Sequence, residues 1–364
     1  MIRHVRPAAA SVLVLSLLFT VVGCGRGGGA AHASASWSGS TIVMSGPDVG
    51  YAVLPSGSRW VVIGTTDGWH TVTDRTPTAV PTDGGLVLSA AGGHVAVGVL
   101  PHQQLTVSPL MVSHDGGETW APGQLPGGLV AAAGALDVSA LGVRAVVAGD
   151  GGQVVTAPTP RGPWRDLANA SDLGTGRVTL TGLASPDGRT LTVSASGPST
   201  SALLFASDDA GRSWRPVTVP SPAKGTATVL GPCRVDRTWL VPVVAGGELV
   251  VDRSSSLSGP WRAGEPIAVG TNPVAACGGN AVWVVGQSGS GDRLLLTGAA
   301  GGWADHGLLG DTVTSLSVAS ADTAFATVPG AEHLLEVRLG TSLTSTPIAL
   351  PSWVATVGGG PMRN

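Results

Sequence analysis

A single tyrosine, a single lysine and three phenylalanines serve a chain of 364 residues, and only 12% of its residues are charged. The basic groups are 19 arginines and Lys224, scattered without a patch, on a chain of net charge −3. That excludes the basic footprint of a nucleic-acid binder. Three cysteines are too few for a disulfide-dense scaffold. No histidine or third cysteine falls at ligand spacing near another, so no metal is expected. No G-x-S-x-G elbow, P-loop or dinucleotide fingerprint occurs, so no cofactor is expected either. Beyond its N-terminus the chain lacks any convincing helical period.

Turns and short apolar runs are abundant. There are 55 glycines and 26 prolines, and 43% of residues are hydrophobic. Runs such as Trp283-Val284-Val285-Gly286 and Leu294-Leu295-Leu296-Thr297, bounded by Gly, Ser and Asp, read as strands. Two segments share a pattern. Ser113, Asp115, Gly117, Thr119 and Trp120 read S-x-D-x-G-x-T-W, and Ser207, Asp209, Gly211, Ser213 and Trp214 read S-x-D-x-G-x-S-W. The Asp accepts hydrogen bonds from turn N–H groups, the Gly allows positive φ, and the Trp covers the hairpin. Each part stabilises a turn, and none requires a substrate.

The pattern has weaker copies. Tryptophans at 69, 120, 164, 214, 261 and 303 are spaced by 51, 44, 50, 47 and 42 residues. A second signature, Asp or Asn three residues before an aromatic, recurs as Asp48/Tyr51, Asp236/Trp239, Asn280/Trp283 and Asp322/Phe325. Together they give seven units starting near 48, 93, 141, 187, 236, 280 and 322. About four strands per ~45-residue unit is a propeller blade. The expectation is an all-β chain forming a single β-propeller over 39–357, with seven four-stranded blades, six being the alternative. Residues 41–44 are expected to complete the last blade and close the ring.

The two clean motifs resemble Asp-boxes (BNR repeats), the hairpin motif of sialidases and of non-enzymatic propellers of the sortilin and photosystem-assembly types. For the latter, the resemblance implies protein binding on a propeller face. For sialidases it implies an Arg triad, a Tyr nucleophile activated by a Glu, and an Asp acid/base. No Phe/Tyr-Arg-Ile-Pro motif opens the propeller, and Tyr51 sits at the recurring aromatic position, where packing is its expected role. Arg165, Arg215 and Arg262 follow repeat tryptophans, toward the outer hairpins. No catalytic residue carries over.

The N-terminus reads as an address. Arg3, His4 and Arg6 precede an apolar stretch, Ala8 to Val22, of signal-peptide length. Val21-Val22-Gly23-Cys24 resembles the lipobox of bacterial lipoproteins. That implies a signal peptide over 1–23, a lipidated Cys24 carrying diacylglyceryl and palmitoyl chains, and a flexible tether over 24–38. Residues 358–364 read as a C-terminal tail. An ordinary signal peptide is the alternative. Cys233 and Cys277 are one unit apart, each six residues before its unit's tryptophan. In an exported chain this suggests an inter-blade disulfide, two buried thiols being the alternative. The reading is a membrane-anchored extracytoplasmic lipoprotein that binds a protein or glycan, with a divergent sialidase-like exo-glycosidase as the alternative.

Overall fold

The computed structural model describes residues 40–78, 80–99, 110–125, 133–147, 152–169, 173, 178–185, 189–198, 203–220, 225–270, 273–278, 280–288, 291–298, 303–330 and 333–354. The expected leader over 1–23, Cys24, the expected tether to 38 and the expected tail over 358–364 lie outside them. Among the described residues there is no helix.

The strands form six hydrogen-bonded sheets, five of them four-stranded and antiparallel in chain order. The first ladder is Thr41–Met44, Gly50–Ser56, Arg59–Thr65 and Thr73–Asp74. The second is Leu86–Ala91, His94–Val99, Leu110–Ser113 and Ala121–Gly123, and the third is Ala133–Ser139, Gly142–Val147, Gln153–Ala157 and Arg165–Asn169. The nine-stranded sheet contains the fourth and fifth ladders. The fourth is Thr179–Ala184, Leu191–Pro198, Leu204–Ser207 and Arg215–Val217; the fifth is Cys233–Val235, Thr238–Ala245, Glu248–Ser254 and Ile267–Ala268. Thr226–Val229 joins them, pairing with both Leu191–Pro198 and Thr238–Ala245. The sixth ladder is Val274–Gly278, Ala281–Ser288, Gly291–Gly298 and Trp303–Leu308, and the seventh is Ser315–Val318, Thr323–Thr327, His333–Leu339 and Leu343–Ala349.

These strands form because β-branched runs alternate with tight turns. Positions 48, 93, 141, 236, 280 and 322 all lie between the first and second strands of their ladders. Position 187 lies outside the described residues. The inner strands are buried on both faces, as Thr41–Met44 and Leu86–Ala91 are throughout, so they read as apolar runs rather than alternations.

The cores lie between ladders, and their order is cyclic. One cluster joins the first and second ladders through Tyr51 and Val95, and another joins the second and third through Val112 and Leu136. The third, fourth and fifth share the cluster around Phe205. Leu249 and Val284 lie in the core between fifth and sixth, and Trp283 and Val337 in that between sixth and seventh. Ile42, Leu54 and Phe325 join the seventh back to the first.

Thr41–Met44 does not complete the last ladder. It pairs with Gly50–Ser56, from Thr41↔Val53 to Met44↔Gly50, because the seventh ladder supplies four strands of its own. Closure instead uses side chains. The outward N–H groups of Ile42 and Met44 donate to Ser315 Oγ (3.2 Å) and Ser317 Oγ (2.9 Å), which satisfies that strand edge.

Candidate functional site

The S-x-D turns connect the third and fourth strands of their ladders. In the second ladder Ser113 Oγ donates to Asp115 Oδ1 (2.7 Å) and accepts from Gly117 N–H (2.7 Å). Thr119 donates to the same carboxylate through its N–H (2.9 Å) and its hydroxyl. Ser207, Asp209, Gly211 and Ser213 repeat these bonds in the fourth ladder. The donated bonds hold all three turn carboxyls down: Asp209 and Asp67 titrate at about 2, and Asp115 lower still.

Asp67 belongs to a third copy whose register the tryptophan spacing obscured. Thr65 Oγ1 donates to Asp67 Oδ1 (2.8 Å) and accepts from Trp69 N–H (2.9 Å), and Thr71 bonds the carboxylate as Thr119 does. Trp69 therefore stands in the glycine place, at φ 70°, and Val72 in the tryptophan place. The pattern T-x-D-x-x-x-T marks this copy, and Trp69, though it falls in the tryptophan series, does not take the covering place. Each turn is also docked on its own ladder's first hairpin. Gly68, Gly116 and Ala210 N–H groups donate to the Asp48, Gly93 and Arg189 carbonyls.

Trp214 lies back over its own hairpin, its Nε1–H donating to Gly211 O (3.1 Å). Trp120 instead reaches the first ladder and donates to Arg75 O (3.1 Å). Arg75 threads between the ladders. A Cβ on Gly117, at φ 84°, would meet Arg75 Cβ at 3.1 Å, so the glycine gives the arginine its seat. Its guanidinium lies 3.5 Å from Glu118. An open cleft of about 370 Å³ is lined here by Asp74, Arg75, Thr76, Glu118, Trp120 and Met111, among others. It presents two carboxylates, one partly covered guanidinium and an indole.

Tyr51 is 3% exposed, in the core between first and second ladders. Burial raises its hydroxyl pKa, while Arg75 opposes that shift. Tyr51, Trp283 and Phe325 all pack toward the following ladder. Trp239 packs backward, onto the fourth. Trp239 stands one place beyond its hairpin's closing pair, Val235↔Thr238, and Trp283 two places beyond Gly278↔Ala281, so equal sequence offsets land on opposite faces. Arg165 and Arg215 open the outermost strands of their ladders, and Arg262 bridges to Arg253.

The cysteines illustrate the same rule. Cys233 and Cys277 are disulfide-bonded, with Cα atoms 6.1 Å apart. They do not occupy equivalent positions. Cys233 stands opposite Leu240, two residues before its hairpin's closing pair, and Cys277 opposite Val282, one before. That single-residue offset turns the two sulfurs toward each other across the core shared by the fifth and sixth ladders.

Three polar features escaped sequence reading. Arg144 and Asp137, cross-strand partners in the third ladder, form a buried ion pair at 2.8 Å. Asp252 is fully buried with neither carboxylate oxygen hydrogen-bonded, and burial pushes its pKa up to about 7. It pairs with Val241 and so shares the face that packs on the fourth ladder. The histidines, none of which falls at ligand spacing in the sequence, include one close pair. His94 Nδ1 and His114 Nδ1 lie 2.7 Å apart. Among the described residues no three His, Cys, Asp or Glu side chains cluster as metal ligands.

No protein-family model matches the chain, and no curated protein matches its sequence. Solved structures do. A structure of YCF48 bound to D1 peptide is similar over 86% of this chain and 96% of that chain, at 14% identity and a TM-score of 0.51. The β-propeller domain of Cps50 (Swd1) from Myceliophteria thermophila is similar over 94% of this chain and 100% of that chain, at 11% identity and a TM-score of 0.50. At such identities the likeness establishes the fold, an all-β propeller, and nothing finer.

Proposed function

We propose that this chain is a protein-binding β-propeller of the Asp-box type, with one blade per ladder and therefore seven blades. In this reading Cys24 is lipidated and holds the propeller at the outer side of a bacterial membrane. The observation that carries the binding role is the likeness to YCF48, which spans nearly the whole of a propeller whose structure holds a peptide. The two S-x-D turns and the T-x-D turn at Thr65 support the Asp-box assignment, since their polar groups are engaged in holding hairpins. The anchor rests on Val21-Val22-Gly23-Cys24 after a basic and apolar leader.

Against a sialidase-like hydrolase stands Tyr51. A nucleophile must meet its substrate, and Tyr51 is buried in the core between the first and second ladders. The guanidinium that bears on it is that of Arg75, which is turned to Glu118.

The test has two arms. The full chain, purified from membranes, is offered an array of peptides from exported and membrane proteins, a glycan array and a fluorogenic sialoside. Saturable binding of a peptide is expected. Sialoside hydrolysis that Tyr51→Phe abolishes would overturn the reading. Mass spectrometry of the mature N-terminus is expected to show acylated Cys24, and cleavage elsewhere or a bare thiol refutes the anchor.

A further inference from the structure

The two histidines that meet in the second ladder are placed there by the strand ladder. Val95 and Ser113 are paired residues, and His94 and His114 are the next positions on either side of them. They thus continue the cross-strand row, where facing Cβ atoms lie within reach of each other. The turns that carry them are tied by the bond from Gly116 N–H to Gly93 O (2.8 Å). On one side the turn is further fixed by the Ser113–Asp115–Thr119 bonds. The rings meet edge to edge, with centroids 5.0 Å apart and their planes crossed at 78°. His94 is half-buried and His114 exposed, so water and ions reach the pair.

We infer that His94 and His114 form a two-imidazole site for a divalent late first-row metal ion, with Cu2+ as the preferred ion and water as the remaining ligands. Two nitrogens ~2.0 Å from one ion and at right angles lie ~2.8 Å apart, whereas a tetrahedral ion spreads them to ~3.3 Å. The 2.7 Å between the histidines is a ring-to-ring hydrogen bond with the two Nδ1 atoms facing each other, so both rings must turn to aim at one ion, which either spacing allows. Affinity order among these ions favours Cu2+ over Ni2+ and Zn2+. The ladder fixes the spacing of the two side chains, so only the rings have to reorient on binding.

The proton balance is simple. With both rings neutral, one Nδ1 carries a proton that it donates to the other. Metal binding requires both Nδ1 lone pairs, so the donor ring shifts to its Nε2–H tautomer through solvent. No net proton leaves the pair. Burial, and then the neighbouring His114, lower the pKa of His94, which keeps that ring in the neutral, ligating form.

The test is titration of the full chain with Cu2+, and separately with Zn2+, alongside His94→Gln and His114→Gln. The other histidines remain in every variant and report background binding. One Cu2+ per wild-type chain is expected at the tightest site, and each variant should bind it roughly 100-fold more weakly, since each loses one of two linked ligands. Zn2+ should bind the wild type more weakly than Cu2+. Electron paramagnetic resonance of the first bound Cu2+ should show coupling to two imidazole nitrogens. Equal Cu2+ affinity in wild type and both variants, or coupling to one imidazole in the wild type, overturns the inference.

Discussion

Two kinds of aspartate in this chain respond to pH in opposite directions. Asp252 is protonated in the folded state up to about pH 7, while in the unfolded chain it ionises above its ordinary value of 3.8. A raised carboxyl pKa means the native state binds the extra proton, so stability falls as pH rises between those values and levels off beyond. The shift is worth ~4 kcal/mol at most. Asp252→Asn should therefore be more stable than wild type at pH 8, with a flatter urea-midpoint profile from pH 5 to 8. An unchanged profile would rule out Asp252 as its source. Asp67 and Asp209 act the other way. Their depressed values, about 2, give stability that is present above pH 4 and lost as pH falls toward 2. Changing both to Asn should blunt acid unfolding and lower the melting temperature at pH 6, which thermal melts at both pH values check. The two turn aspartates of the clean motifs were legible from their spacing. Asp252 was not, because nothing in Val250-Val251-Asp252-Arg253 marks which face a lone carboxyl takes until the neighbouring ladder is in place.

The elements themselves were written in the sequence as turns. Glycine, asparagine and aspartate at fixed intervals located the first hairpin of every ladder whose turn is described, because those residues tolerate the backbone a tight turn demands. Register was less legible. A strand's side chains alternate, so a one-residue shift of a signature relative to its hairpin's closing pair inverts the contacts that follow. That is why Trp239 faces backward while Trp283 faces forward, and why Cys233 and Cys277 meet. The disulfide closes a separation of 44 residues, which in the chain-entropy view stabilises by about 3–4 kcal/mol. Cys233→Ser with Cys277→Ser should lower the denaturation midpoint accordingly, and mild reduction of the wild type should give the same midpoint. The T-x-D turn makes a sharper test of register. Asp67→Ala should lower the melting temperature by about as much as Asp209→Ala, because both remove the same three donated bonds. No change for Asp67→Ala alone would mean that Trp69 has displaced the motif's role.

At the scale of the whole molecule the decisive seam is where the last ladder meets the first. Repetition in the sequence announced a cyclic fold, since ladders with two apolar faces need a neighbour on each side. It did not announce how the ring closes. Two devices do so without exchanging a strand. The serine hydroxyls of Ser315 and Ser317 accept from the N–H groups of Ile42 and Met44, and the segment after the last strand folds back across the seam. There Val354 is buried beside Ile42 and Ile63, Leu350 packs against the same core, and Ser56 donates to Trp353 O (3.1 Å). Burying one such side chain contributes ~1.5–3 kcal/mol. Because neighbours share cores all round the ring, opening one seam should loosen the ladders on both sides of it before the others. Deleting 350–364 should therefore lower the melting temperature and raise amide exchange first in Gly50–Ser56 and Thr323–Thr327, which flank the seam. Deleting only 358–364 keeps Val354 and should leave both measurements at wild-type values. Uniform exchange around the whole ring after the longer deletion would show that the seam is no weaker than any other junction.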